Sequence, residues 1–111
     1  MPKQWIAAGV LALGVLAPMT HAIGQTPQRT TQAAMEVLAT VNKKVPGTQD
    51  SAMRRCQGYM ADAESAEKLG AKDQAARNWE KAARGCKQEA NIACRAQKWA
   101  APTGQCQELS R

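Results

Sequence analysis

Two stripes of small and apolar residues, mirrored about position 71, constrain this chain more than anything else in its sequence. The first holds Ala52, Met53, Cys56, Tyr59, Met60, Ala63 and Ala66. The second holds Ala75, Ala76, Trp79, Ala82, Ala83 and Cys86. Both follow the i, i+3, i+4, i+7 spacing of one helix face. Charged residues fill the gaps: Arg54, Arg55, Asp62, Glu64 and Glu67 in the first arm, Arg77, Lys81 and Arg84 in the second. Leu69-Gly70-Ala71-Lys72-Asp73 joins them, with Gly70 suited to a left-handed helix end and Asp73 suited to cap the next helix. The spacing therefore predicts an antiparallel helix hairpin over residues 50–86. It sets Met60 opposite Ala82, Ala63 opposite Trp79 and Cys56 opposite Cys86.

The chain has 111 residues, enough for one small domain. Residues 1–22 read as a secretory signal peptide. Lys3 supplies a positive start, Trp5 to Leu16 an apolar run, Pro18 a break and Thr20-His21-Ala22 a small-residue cleavage site. The alternative is a membrane anchor, but the run is short for a bilayer-spanning helix. No cysteine follows the run, so lipid attachment of the bacterial lipoprotein kind is not indicated. Removal of the segment takes away His21, the single histidine, and Lys3. The formal net charge of +6 then becomes +5.

The remaining chain is rich in alanine, with Tyr59, Trp79 and Trp99 as its aromatic residues. Alanine favours helix but buries little surface. A small domain with so thin a core needs covalent staples. The chain's four cysteines all follow the signal segment, and an even number in an exported chain implies disulfides. Of the three connectivities, we prefer Cys56–Cys86, which ties the open end of the hairpin, with Cys94–Cys106, symmetric about position 100. Chain-entropy estimates give roughly 3–4 kcal/mol for the longer loop and about 3 kcal/mol for the shorter.

Residues 23–30 read as a flexible N-terminus, ahead of a helical domain at 31–111. Thr30 or Thr31 is a candidate cap for a helix ending near Lys44, with Ala34, Val37, Leu38, Val41 and Val45 on its apolar face. Lys43 and Lys44 suit its last turn, and Val45-Pro46-Gly47 ends it. Asp50 or Ser51 is a candidate cap for the first hairpin arm. Gly85 reads as the stop of the second arm, Lys87-Gln88-Glu89 as a turn, and residues 89–99 as a last helix burying Ile92, Ala93, Ala96 and Trp99. Pro102 and Gly104 end that helix, and Cys106 ties down the tail. The expected fold is all-α: a small disulfide-stapled helical domain of about four short helices built on an antiparallel hairpin.

Gly70, Ala75, Trp79 and Ala82, with Tyr59 and Ala63 in the first arm, resemble one tetratricopeptide repeat. The run Trp79-Glu80-Lys81-Ala82-Ala83 is similar to the related Sel-like repeats. The resemblance covers about 35 residues and one repeat, where solenoids generally need about three or more. Asp62 stands where that family has a large aliphatic, and Ala66 where it has an aromatic. Relative to the Lys81-Ala82-Ala83 run, the inter-repeat turn is also longer than in the cysteine-rich members. The resemblance implies a shallow groove lined by Tyr59 and the first-arm face that takes an extended or helical peptide. It also implies a rival pairing, Cys86–Cys94 with Cys56–Cys106, because cysteine-rich members share the Cys86 and Cys94 spacing.

No catalytic constellation emerges. The cysteines lack the close C-x-x-C pairs of zinc, redox or haem sites. Without a histidine there is no nucleophile–histidine pair. Asp62, Glu64 and Glu67 lie on a polar helix side and read as solvated surface. We expect no cofactor, no metal and no enzyme activity. Arg54, Arg55, Arg77 and Arg84, with Tyr59, are the candidate partner-binding residues. Lys81, Lys87, Arg95 and Lys98 add to a basic second half that suits an anionic surface or acidic protein segment. The plain alternative is a solvated face that aids solubility. Nucleic acid is not expected, since no recognisable module is present. The expected function is an exported, periplasmic or secreted, protein-interaction module. The alternative is a small cationic protein binding a membrane surface or anionic cell-wall polymer.

Overall fold

The computed structural model describes residues 26–111, so the signal segment at 1–22 and residues 23–25 lie outside the described residues. Four helices form the domain: α1 (Pro27–Lys44), α2 (Asp50–Lys68), α3 (Lys72–Ala96) and α4 (Gly104–Ser110). Among the described residues there is no strand. The all-α expectation holds, although the four helices are not the four that the spacing suggests. α3 is the central element, and both α1 and α2 pack chiefly on it. α1 runs beside α3 in the same direction, with Pro27 near Trp79 and Lys44 over Trp99. α2 runs antiparallel to both.

Local chemistry sets each boundary. α1 starts earlier than expected, because Thr26 caps it by accepting from the Arg29 N–H (3.2 Å) and Pro27 sits at the first helical position. Residues 27–30, read as flexible, are thus helical. Thr31 is no cap either. It is fully buried within the helix, and its hydroxyl donates to the Pro27 carbonyl (2.8 Å). Val45 caps the C-terminus, and Gly47 takes φ 86° in the turn that follows. At α2 neither Asp50 nor Ser51 caps, and Gln49 is the N-cap. Asn42 braces this corner, accepting from the Gln49 N–H (2.8 Å) and donating to the Asp50 carboxylate (3.0 Å).

Gly70 does adopt the left-handed conformation, with φ 76°. The Gly70 N–H reaches the Glu67 carbonyl and the Ala71 N–H reaches the Ala66 carbonyl, both at 3.0 Å. That pair of bonds satisfies the end carbonyls of α2 and makes a Schellman motif. The turn is so tight that Ala71 becomes the N-cap of α3. Asp73 therefore lies inside the first turn rather than capping it, where its charge suits the positive helix end.

The main departure is at Gly85. No stop occurs there, and α3 continues for 25 residues through the Lys87-Gln88-Glu89 segment read as a turn. A glycine ends a helix by taking positive φ, and Gly85 does not. Its role is close approach: a Cβ on Gly85 would lie 2.6 Å from the Tyr59 ring. Because α3 is unbroken, its buried stripe keeps helical phase through Ala75, Trp79, Ala82, Cys86, Ala90 and Ala93. Ile92 and Ala96 fall outside that phase and are exposed, Ile92 by 48%. Trp99, expected in the core, lies beyond the helix and is 37% exposed. α4 is an added helix, capped by Thr103, whose hydroxyl accepts from the Cys106 N–H (3.4 Å).

The core has two parts. The larger joins Ala34, Val37, Leu38 and Val41 of α1 to Ala52, Cys56, Cys86, Ala90, Ala93, Cys94, Cys106 and Leu109. The smaller joins Ala63, Trp79 and Ala82, with Tyr59 and Met60 against it, as the mirrored stripes require. The Trp79 indole N–H donates to Glu67 (3.0 Å), which satisfies its one polar atom. The disulfides are Cys56–Cys86 and Cys94–Cys106. The rival pairing does not form.

Two expected outcomes test this arrangement. First, Gly85→Ala should destabilise the protein by about 1 kcal/mol, because displacing Tyr59 outweighs the helix propensity gained. In a Tyr59→Ala background the same change should instead stabilise by about 0.5–1 kcal/mol; urea melts with disulfides intact give the sign. Second, limiting reductant followed by mass mapping should open Cys94–Cys106 first. Cys94 and Cys106 line a surface cavity and keep slight exposure, whereas Cys56 and Cys86 are fully buried and thiolate attack needs access.

Candidate functional site

The surface residues singled out by sequence sort into three settings along the hairpin. On one edge, α2 and α3 meet in antiparallel register: Arg55 faces Glu89, Tyr59 faces Gly85, and the Asn78 amide donates to the Asp62 carbonyl (3.4 Å). Helical rows spaced by four residues generate this seam, with Arg55 and Tyr59 on one side and Lys81, Gly85 and Glu89 on the other.

Arg55 is engaged within the molecule. Its Nε and Nη2 donate to the two Glu89 oxygens at 2.8 and 3.0 Å. This fork-to-fork pairing shields neither partner fully, since the side chains are 53% and 24% exposed. The hydrogen bonds from Arg55 hold the Glu89 carboxyl below the usual carboxylate range. The same bonds raise Arg55 above its ordinary value. The turn expected at Lys87-Gln88-Glu89 hides this pair from the sequence alone. Only the unbroken α3 places Glu89 one turn beyond Cys86, level with Arg55.

Tyr59 is half-buried. Its ring fills the space left by Gly85, and the Lys81 ammonium lies 5.8 Å from the ring centre, within the range of a cation–π contact. Arg77, Lys81 and Arg84 occupy successive turns of one exposed face of α3, so a basic ridge runs beside Tyr59. Arg77 donates to Gln74 (2.9 Å) within its own helix. Arg54 is exposed and reaches Ser51 at 3.4 Å; it is separate from the Arg55–Glu89 pair. The structure thus brings Tyr59, Arg77, Lys81 and Arg84 to one region and leaves Arg54 apart.

Large apolar side chains add a second kind of surface. Leu69, at the hairpin tip, is 84% exposed. Trp99 carries Lys44 at 5.5 Å from its ring. The Lys44–Trp99 contact crosses from α1 to the turn after α3, and sequence separation gave no signal for it.

Among the described residues, no group of three or more His, Cys, Asp or Glu side chains is placed to hold a metal ion. All four cysteines are in disulfides. No described helix is long and apolar enough to cross a membrane. Fold and cysteine pairing define a small disulfide-stapled helical domain, and two disulfides in so small a domain are consistent with an exported protein. Comparison with family models, curated proteins and solved structures found no match.

The pH dependence of the Arg55–Glu89 pair follows from its sign. A lowered folded-state value means that the pair contributes fully above the ordinary glutamate range. The contribution fades as pH falls through the folded-state value. Glu89→Gln should lower stability slightly at neutral pH and leave a flatter acid limb than the parent. Melting temperatures from neutral to strongly acidic pH check this. Parallel curves for the two proteins would show that the pair does not contribute.

Proposed function

We propose that the chain is an exported, non-enzymatic helical module that binds another protein in the periplasm or outside the cell. The observation that carries this reading is the exposure of Leu69, Ile92 and Trp99 on a scaffold held by two disulfides. A rigid framework loses little conformational freedom on binding, so a few apolar anchors suffice. The tetratricopeptide-like spacing of Gly70, Ala75, Trp79 and Ala82 supports the same reading, since that family binds peptides. A photo-cross-linking residue placed at 69, 92 or 99 in the producing cells should give a discrete protein adduct. The same residue at exposed, polar Gln57 should not. Adducts at none of the three, or equal labelling at Gln57, would overturn the proposal.

One observation favours a second reading. Of the 15 lysines and arginines, all but Lys3 lie in the described residues. Among these only Arg55 and Arg111 reach a carboxylate within salt-bridge distance. The remaining cations are available to a membrane surface or an anionic cell-wall polymer. Binding to anionic vesicles or to wall polymer should then weaken sharply as the screening length falls from about 30 Å at 0.01 M salt to about 8 Å at 0.15 M. Binding that persists at high salt, or fails at low salt, would count against this electrostatic reading.

A further inference from the structure

The cavity at the junction of α1, α3 and α4 brings basic and apolar side chains together. Its volume is about 370 Å³, within the range of about 300–1,000 Å³ common for small-molecule sites. Arg29 of α1 and Lys87 of α3 line it, with Thr30 beside them. Ala33 and the buried Leu109 supply apolar wall. Arg111 and Glu108 complete the rim and are occupied with each other at 3.6 Å.

Arg29 and Lys87 differ from that pair. Among the described residues, neither has a carboxylate within salt-bridge distance. The first turn of α1, where Arg29 sits, contains no acidic residue, so the positive end of that helix dipole is uncompensated there. Lys87 is half-buried, a setting in which a lysine stem can cover apolar surface while its ammonium reaches solvent. Two uncompensated cations on separate helices therefore share one concavity with an apolar wall. Arg29 and Lys87 are far apart in sequence, and it is the parallel packing of α1 on α3 that joins them.

We propose that this cavity binds a small organic oxyanion. A carboxylate or phosphate head lies between Arg29 and Lys87, where the guanidinium fork matches either group. An apolar body rests on Ala33 and Leu109. This site is distinct from the exposed apolar side chains and needs no protein partner.

The experiment is an amide-resolved NMR titration of the purified protein with phenyl phosphate and, separately, with benzoate. Inorganic phosphate serves as the head without a body. At least one organic probe should give saturable shifts centred on Ala33, Lys87 and Leu109, and the arm that binds more tightly identifies the head group. Inorganic phosphate should bind roughly tenfold more weakly, having no apolar surface to bury. Arg29→Gln and Lys87→Gln should each weaken the organic probe roughly tenfold or more, the usual effect of losing a charge-assisted contact. Lys87→Arg should retain binding, and Lys43→Gln, on the last turn of α1, should leave it unchanged. Unaltered helical circular dichroism in each variant separates lost binding from lost fold. The proposal is overturned if neither organic probe gives saturable shifts. It is equally overturned if the shifts centre on exposed cations such as Lys43 and Arg84, or if inorganic phosphate binds as tightly as both organic probes.

Discussion

The covalent bond between Cys56 and Cys86 sits where a larger protein would place leucines and phenylalanines. Both sulfurs are fully buried. They join α2 to α3 beside a core whose largest fully buried side chains are Leu38, Val41 and Thr31. The sequence contains no phenylalanine, and alanine supplies much of the remaining core. Alanines let helix axes approach closely but release little transfer free energy each. A loop of this size contributes roughly 3–4 kcal/mol in the chain-entropy account, set against a total stability of about 5–15 kcal/mol for a typical domain. The crosslink also fixes the register of the hairpin. With Cys56 level with Cys86, Arg55 falls beside Glu89, Tyr59 beside Gly85, and Ala63 beside Trp79.

That register explains why α3 passes through Gly85 unbroken. A glycine inside a helix costs roughly 0.8–1 kcal/mol relative to alanine. Here the missing side chain admits an aromatic ring, and the neighbouring Cys86 pins the backbone to α2. Residues 87–96 are all compatible with helix, and the first proline lies later, at Pro102. Nothing therefore interrupts propagation. The second disulfide then uses the extra length: Cys94, near the end of α3, holds Cys106 and with it the short α4. Alone, a seven-residue helix would not persist in water; the crosslink, the Thr103 cap and the buried Leu109 hold it in place.

The same geometry shapes the surface. Holding α3 in one phase turns Ile92 outward and leaves Trp99 only partly covered by Lys44. It brings Arg77, Lys81 and Arg84 into a ridge beside Tyr59 and engages Arg55 with Glu89. It also places Lys87 opposite Arg29 of α1 around a shared cavity. Of the residues that look alike as surface cations in sequence, one is an internal tie, three form a ridge, and two meet across a concavity.

What the sequence determined by itself was whatever depends on neighbours along one helix. The 3.6-residue stripes marked both hairpin arms, Gly70 marked the turn, and mirror symmetry about position 71 paired Cys56 with Cys86. These readings hold because helix periodicity and turn geometry act over a few residues and leave a local signature. The start of α1 carries an equally local signal, Thr26 followed by Pro27, which the expectation of a cap at Thr30 or Thr31 passes over. The tertiary structure decided whatever depends on residues distant in the chain. Whether Gly85 stops a helix or receives a ring turns on Tyr59, which lies on the other arm. That choice set the phase of everything beyond it, and so the burial of Ile92, Ala96 and Trp99. The company kept by Arg29, Arg55 and Lys87 was likewise settled by packing, because a charge has no periodicity that reveals the partner opposite.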